Sequence, residues 1–197
     1  MGEAAAAGGA GRGGGSGPGA AGNPFDSGRI LCQPPAMNDT TRGDRAPEPV
    51  PDGIPAGYEV STDPALLDLA LIHHWLSTDA YWALGRPRER QDRAVAGSLN
   101  FGLYEKDPAG DGRARQVGYA RVVTDHTTFA WLCDVYIAPA ARGKGLGTAL
   151  VTHIRDHLAP CGLRRILLAT GDAHEVYARV GFEPLADPGK WMALGLQ

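Results

Sequence analysis

The chain has 197 residues, with 19 Lys+Arg against 22 Asp+Glu and a formal net charge of -3. That length suggests one domain with some chain to spare. The charge balance excludes a general positive field for nucleic acid or an anionic membrane.

The spare length lies at the front, where residues 1–56 hold nearly half of the 28 glycines and over half of the 15 prolines. The opening MGEAAAAGGAGRGGGSGPGAAG has little to bury, so 1–56 is expected to be a disordered extension. It lacks a long apolar core and reads as neither signal peptide nor membrane span. A solvated tail and an over-long gene start both account for it. Residues 57–197 hold the folded domain. Cys32, Cys133 and Cys161 are odd in number and lack metal-ligand spacing. They read as free thiols in a reducing compartment, and the expected location is cytoplasmic.

Gly57–Thr62 reads as a short first strand. Asp63-Pro64 opens a helical pattern with Leu66, Leu67, Ala70, Leu71 and Trp75 on one side. Residues 77–86 show no clean period, and Pro87 starts a second helix. Leu99–Tyr104 alternates in strand fashion, and KDPAGDGR is a solvated turn. Gln116–Thr124 and Thr128–Ile137 form two strands joined as a hairpin at Asp125-His126. From Leu146 to Leu158 the apolar residues fall at helical spacing, and Pro160 and Gly162 stop the helix. Arg165–Thr170 reads as a short strand buried on both faces. Ala173–Val180 is a small helix and Trp191–Leu194 a last strand. The order is strand, two helices, three strands, helix, strand, helix, strand. It implies an α/β fold with a mixed sheet, not a doubly wound nucleotide fold, because the central strands form a meander.

Between a strong strand and a strong helix stands Arg142-Gly-Lys-Gly-Leu-Gly147. Glycines allow a tight turn and close approach of backbone N–H groups to a ligand. The first amides of the following helix lack intrahelical partners and sit at its positive end, where an anion such as pyrophosphate fits. Arg142 and Lys144 add charge. A turn whose glycines serve only packing is the other reading. A Walker A loop is excluded because Gly145 follows Lys144, and the dinucleotide fingerprint fails on spacing and position.

At these residues the chain resembles the GNAT superfamily of acyl-CoA-dependent N-acyltransferases. Arg142, Gly145 and Gly147 match its Gln/Arg-x-x-Gly-x-Gly/Ala signature, Asp134–Pro139 looks like its fourth strand, and Val176–Phe182 looks like its Tyr-x-x-x-Gly-Phe segment. The likeness spans about 57–197 in the right order. Tyr81–Glu89 also looks like a stretch from a sparsely characterised branch. The resemblance implies a mixed, mostly antiparallel central sheet with helices on both faces and splayed fourth and fifth strands. It implies acetyl-CoA as acyl donor, a primary amine as acceptor and transfer by direct attack in a ternary complex. The amides of Arg142, Gly143, Lys144, Gly145, Leu146 and Gly147 are then expected on the pyrophosphate. The backbone near Val135 and Ile137 is expected along the pantetheine arm, since a splayed strand leaves unpaired groups. Tyr177 matches the tyrosine beside the thioester sulfur, where a phenol can protonate a leaving thiolate. Many relatives carry an asparagine before this helix, but residues 169–174 have none. Asp172 is expected to cap the helix instead.

Amide formation needs a neutral amine, so a proton must be taken. Asp134, a carboxylate in an apolar strand, is the first candidate, against a structural carboxylate satisfied by backbone or an arginine. Alternation places Leu132, Asp134 and Tyr136 on one face and Cys133, Val135 and Ile137 on the other, unless a bulge intervenes. Glu105 is a second candidate base. Cys133 invites a covalent route, but no histidine–acid partnership accompanies it. The superfamily's architecture implies that the acceptor lies against Tyr81, Trp82, Arg86 and Arg88, with Tyr136 shaping its pocket, and the arginines there would suit a carboxylate or phosphate. An ordinary solvated helix face also accounts for those arginines. His153 and His157 lie four apart without a third ligand, and no metal is expected. The acceptor is a small-molecule or protein amine, with no nucleic-acid or membrane partner and a monomeric or homodimeric chain. A non-catalytic acyl-CoA-binding or regulatory domain is the alternative function.

Overall fold

A computed structural model describes residues 53–195. The expectation for the extension therefore lies outside the described residues, apart from its last four positions. The expectation for a folded domain falls on the described part. The elements are β1 (Tyr58–Ser61), α1 (Leu69–Thr78), α2 (Arg88–Ala96), β2 (Leu99–Glu105), β3 (Arg115–Thr124), β4 (Phe129–Ile137), α3 (Leu146–Leu158), β5 (Arg165–Leu167) and α4 (His174–Arg179). The five strands lie in chain order in one sheet. β1 to β4 form an antiparallel meander, and β5 pairs parallel to β4. That is the mixed sheet the element order implied and the mostly antiparallel one the family resemblance implied.

Two cores cover the two faces of the sheet. On one, Leu146, Leu150, Ile154 and Leu158 of α3 pack on Phe101, Leu103, Val122 and Leu132. These α3 residues fall at i, i+4, i+8 and i+12, so burying that stripe holds the helix against the sheet. On the other, Ile72, Trp75 and Leu76 of α1 and Val95 of α2 pack on Tyr119 and Tyr136.

Four details differ from the sequence expectation. The helix begun at Asp63 is two elements. Asp63 caps a single 3-10 turn by accepting from Ala65 N–H, and Asp68 caps α1 by accepting from Leu71 N–H at 2.9 Å. Restarting the helix at a new cap rotates its apolar face, so Ile72, Trp75 and Leu76 are buried while Leu66 is exposed. β5 is only three residues and half-buried, because no described strand lies beyond it. Trp191–Leu194 forms no strand. The Trp191 ring lies beneath the Arg165 guanidinium, and Met192 and Leu194 meet no packing layer. Finally, Cys133 is a free thiol, but Cys161 is disulfide-bonded, so the expectation of three free thiols fails there.

Candidate functional site

β4 and β5 part company after three paired positions, the last being Trp131 with Leu167. From Leu132 to Ile137 the β4 edge facing β5 has no strand partner. A cavity of about 580 Å³ opens there, walled by β4, by the loop before α4 and by the segment between α1 and α2.

β4 is not regular along this edge. Asp134 has φ +53°, and the β3–β4 register shifts between Tyr119 and Arg121. A bulge of this kind places two neighbouring side chains on the same side. Its effect is visible in the packing. Leu132 belongs to the α3 core and Tyr136 to the α1/α2 core, so simple alternation does not hold. A non-glycine residue in the left-handed region is uncommon, and Asp tolerates it better than most.

The Asp134 carboxylate is buried, with its side chain 2% exposed, and accepts four hydrogen bonds. Trp82 Nε1–H donates at 3.1 Å, Arg86 donates at 2.7 and 3.1 Å, and Arg121 Nε–H donates at 2.6 Å. Burial alone would raise this carboxyl, but the hydrogen bonds from Arg86 and Arg121 outweigh it and hold it below its ordinary value. Arg86 also donates to Gln91 Oε1 and Arg121 to Ser98 Oγ. Asp79, on the same cavity wall, accepts from Tyr136 O–H at 2.6 Å and from Arg142 at 2.9 Å.

Across the cavity stands Tyr177 on α4, edge-on to Phe182. Desolvation, with smaller contributions from Asp172 and Tyr81, pushes its phenol up to about 12, so it keeps its proton at neutral pH. Asp172 lines the cavity, and its carboxylate has no hydrogen-bond partner among the described residues. The expected cap is absent. Ala173 precedes α4 without a side-chain cap bond, and Thr170 Oγ1 accepts from its N–H instead. Tyr81 O–H accepts from Gly171 N–H at 2.9 Å, which ties the α1–α2 segment to the loop before α4.

The glycine loop leaves the end of β4 and enters α3. Gly143 and Gly145 have φ of +77° and +74°, a region that only glycine adopts freely. Gly145 stands at the N-cap of α3, so the next amides point out of the helix end. A Cβ at Gly147 would meet nothing closer than 3.8 Å, so packing does not require glycine there. The basic side chains turn away from the loop. Arg142 Nε–H donates to Ile137 O at 2.8 Å, with its guanidinium over the Tyr136 ring, and Lys144 Nζ donates to Tyr58 O–H.

Tyr81, Trp82, Arg86, Asp134, Val135, Tyr136, Ile137, Arg142 and Tyr177 thus line one cavity. Arg88 lies elsewhere, on an exposed face of α2 and bridged to Asp92. Glu105 is outside the cavity, held by Arg115 and Tyr58. His153 and His157 flank the Phe101 ring. Sequence reasoning missed Arg121 and Asp79. For Arg121 a signal existed, a lone cation in the apolar run Gly118–Val123, the same kind of signal that singled out Asp134.

A protein of Gibberella zeae named as an acetyltransferase is 36% identical over 135 residues, covering 62% of this chain and 76% of that one. A crystal structure from Xanthomonas campestris pv. campestris, assigned to the GNAT acetyltransferases, is 44% identical with a TM-score of 0.64, covering 73% and 96%. N-acetylglutamate synthase from Neisseria gonorrhoeae, complexed with coenzyme A and N-acetyl-glutamate, shares the fold at 20% identity and a TM-score of 0.51, over 68% of this chain and 30% of that one. The model of the acetyltransferase (GNAT) family matches residues 69–182. With that match over more than half its length, and the splayed β4–β5 pair it encloses, the chain belongs to the GNAT acetyltransferase family.

Proposed function

We propose that this chain transfers an acetyl group from acetyl-CoA to a primary amine by direct attack within a ternary complex. One observation carries the reading. A single opening joins the unpaired half of β4 and a protonated tyrosine, and Arg142, the residue that leads into the positive-φ glycine loop, stands on its wall.

The residues fit the donor by their chemistry. Amides from Gly143 to Gly147 would hold the pyrophosphate at the positive end of α3. The backbone at Val135 would hold an amide-bearing arm, while the Ile137 carbonyl already accepts from Arg142. Bound there, the thioester supplies an activated acetyl carbonyl and a thiolate leaving group. Asp172 takes the amine proton, directly or through water, because its carboxylate has no competing partner among the described residues. As the C–N bond forms and the C–S bond breaks, Tyr177 gives its phenolic proton to the sulfur and regains one from solvent. Asp134 acts as a positioning group rather than a base, since four donors already occupy its oxygens.

Titration calorimetry of the full chain with acetyl-CoA, followed by a thiol-release screen over an amine panel, tests the reading. Saturable binding and acceptor-dependent thiol release are expected. Binding without release to any amine would reduce the chain to an acyl-CoA-binding domain. No binding at all would remove the donor assignment.

A further inference from the structure

Arg86 and Arg121 are the two most deeply placed cations of the cavity wall, each 16% exposed in its side chain. They come from different elements, the α1–α2 segment and β3, and converge on one carboxylate. One Asp134 neutralises only one of them, so the group retains a single positive charge. Elsewhere on the wall, Asp79 and Arg142 offset each other.

Donors are left over as well as charge. Each guanidinium carries five N–H donors in a planar fork. Bonds to Asp134 and Gln91 use three on Arg86, and bonds to Asp134 and Ser98 use two on Arg121. The others have no protein partner among the described residues. These donors are open to the cavity rather than sealed in the protein, and a carboxylate entering it matches a guanidinium fork in geometry. A monoanion also matches the residual charge, whereas a phosphate monoester brings nearly two charges toward Asp134. Asp172 stands on a different wall, in the loop before α4. Opposite charges on separate walls complement a molecule that bears both an amine and a carboxylate.

We infer that the Arg121–Arg86 pair is a carboxylate subsite, and that the acceptor is an amino acid or a peptide carrying a carboxylate near its reacting amine. This rests on the acetyl-transfer reading for its amine half, but the carboxylate contact can be measured without turnover. The full chain is titrated by calorimetry with the common amino acids and their carboxamides, and with tripeptides ending in a free or an amidated carboxyl. At least one acid is expected to bind about 10- to 100-fold tighter than its amide. Preference confined to free amino acids identifies the small molecule as the source, and preference shared by tripeptides identifies a peptide. In Arg121→Lys, which keeps a charge for Asp134 but removes the fork, the acid-to-amide ratio should fall toward one while acetyl-CoA affinity holds. Equal binding of every acid and its amide by the wild type would overturn the subsite. So would an Arg121→Lys variant that folds, binds acetyl-CoA and keeps the full ratio. Preference for acids in a chain that does not bind acetyl-CoA would retain the subsite and remove the acetyl-transfer reading.

Discussion

The wall formed by the glycine loop and the outer half of β4 differs in kind from the wall formed by Trp82, Arg86 and Arg121. The first offers backbone. The β4 edge lines the opening because β5 stops after three pairs, and next to it two glycines at positive φ lead into the free amides of the α3 N-terminus. The second offers side-chain charge and hydrogen bonding, gathered on Asp134 from the α1–α2 segment and from β3. A backbone wall depends on conformations that few residues can adopt and tolerates change elsewhere. A charge wall depends on each partner being present, since an ion left alone in a buried place is strongly unfavourable.

The largest effect should come from breaking the charge wall. Asp134→Asn keeps a residue that tolerates the left-handed region but removes the negative charge between two guanidiniums. Urea unfolding at neutral pH should show a loss of about 3–5 kcal/mol. Because the folded carboxyl is held below its ordinary value, the unfolded chain binds the proton first as pH falls. The contribution is therefore complete above about pH 4 and disappears as pH drops through the lower folded value, so the gap between wild type and variant should close in acid. A gap unchanged by pH would mean that shape, not charge, holds this wall.

Tyr177→Phe should leave acetyl-CoA affinity intact and lower kcat by about 100-fold, as for loss of a positioned acid. With the phenol raised to about 12, the wild-type rate should show no tyrosine ionisation below about pH 10. Unchanged kcat would leave Tyr177 a packing residue against Phe182.

Gly147→Asp sharpens the comparison from the backbone side. The fold has room for the new Cβ, and a carboxylate in the first turn of α3 suits the helix end, so thermal stability should hold or rise. Acetyl-CoA affinity should fall at least about 10-fold, because the same positive end would be satisfied internally. A stable variant with wild-type affinity would move the donor away from the loop.

The smallest effect is expected at Cys133. Its thiol is pushed up by burial, its Sγ lies 3.6 Å from the Trp131 carbonyl, and no base among the described residues hydrogen-bonds to it. Cys133→Ala should stay within about twofold of wild-type kcat. A burst of acyl-enzyme in the wild type, absent from the variant, would reverse the expectation of direct attack.

By itself the sequence determined the parts whose physics is local. The span of α3, from Leu146 to Leu158, follows from a run of apolar residues at helical spacing and a proline–glycine stop. The hairpin at Asp125-His126, the helix after Pro87 and the glycine turn are likewise set by neighbours in the chain. Asp134 announced itself as a charge in an apolar strand, but its partners did not. Tertiary structure decided the rest. Ion pairs between residues 13 and 48 positions apart have no sequence period, so although Arg121 stands out as a lone cation, nothing in the chain order marks it and Arg86 as the pair that would meet Asp134. Long-range burial similarly decided that α1 presents Ile72 and Leu76, and that Trp191–Leu194 forms no strand, because an apolar run becomes a strand only where a neighbour and a packing layer receive it.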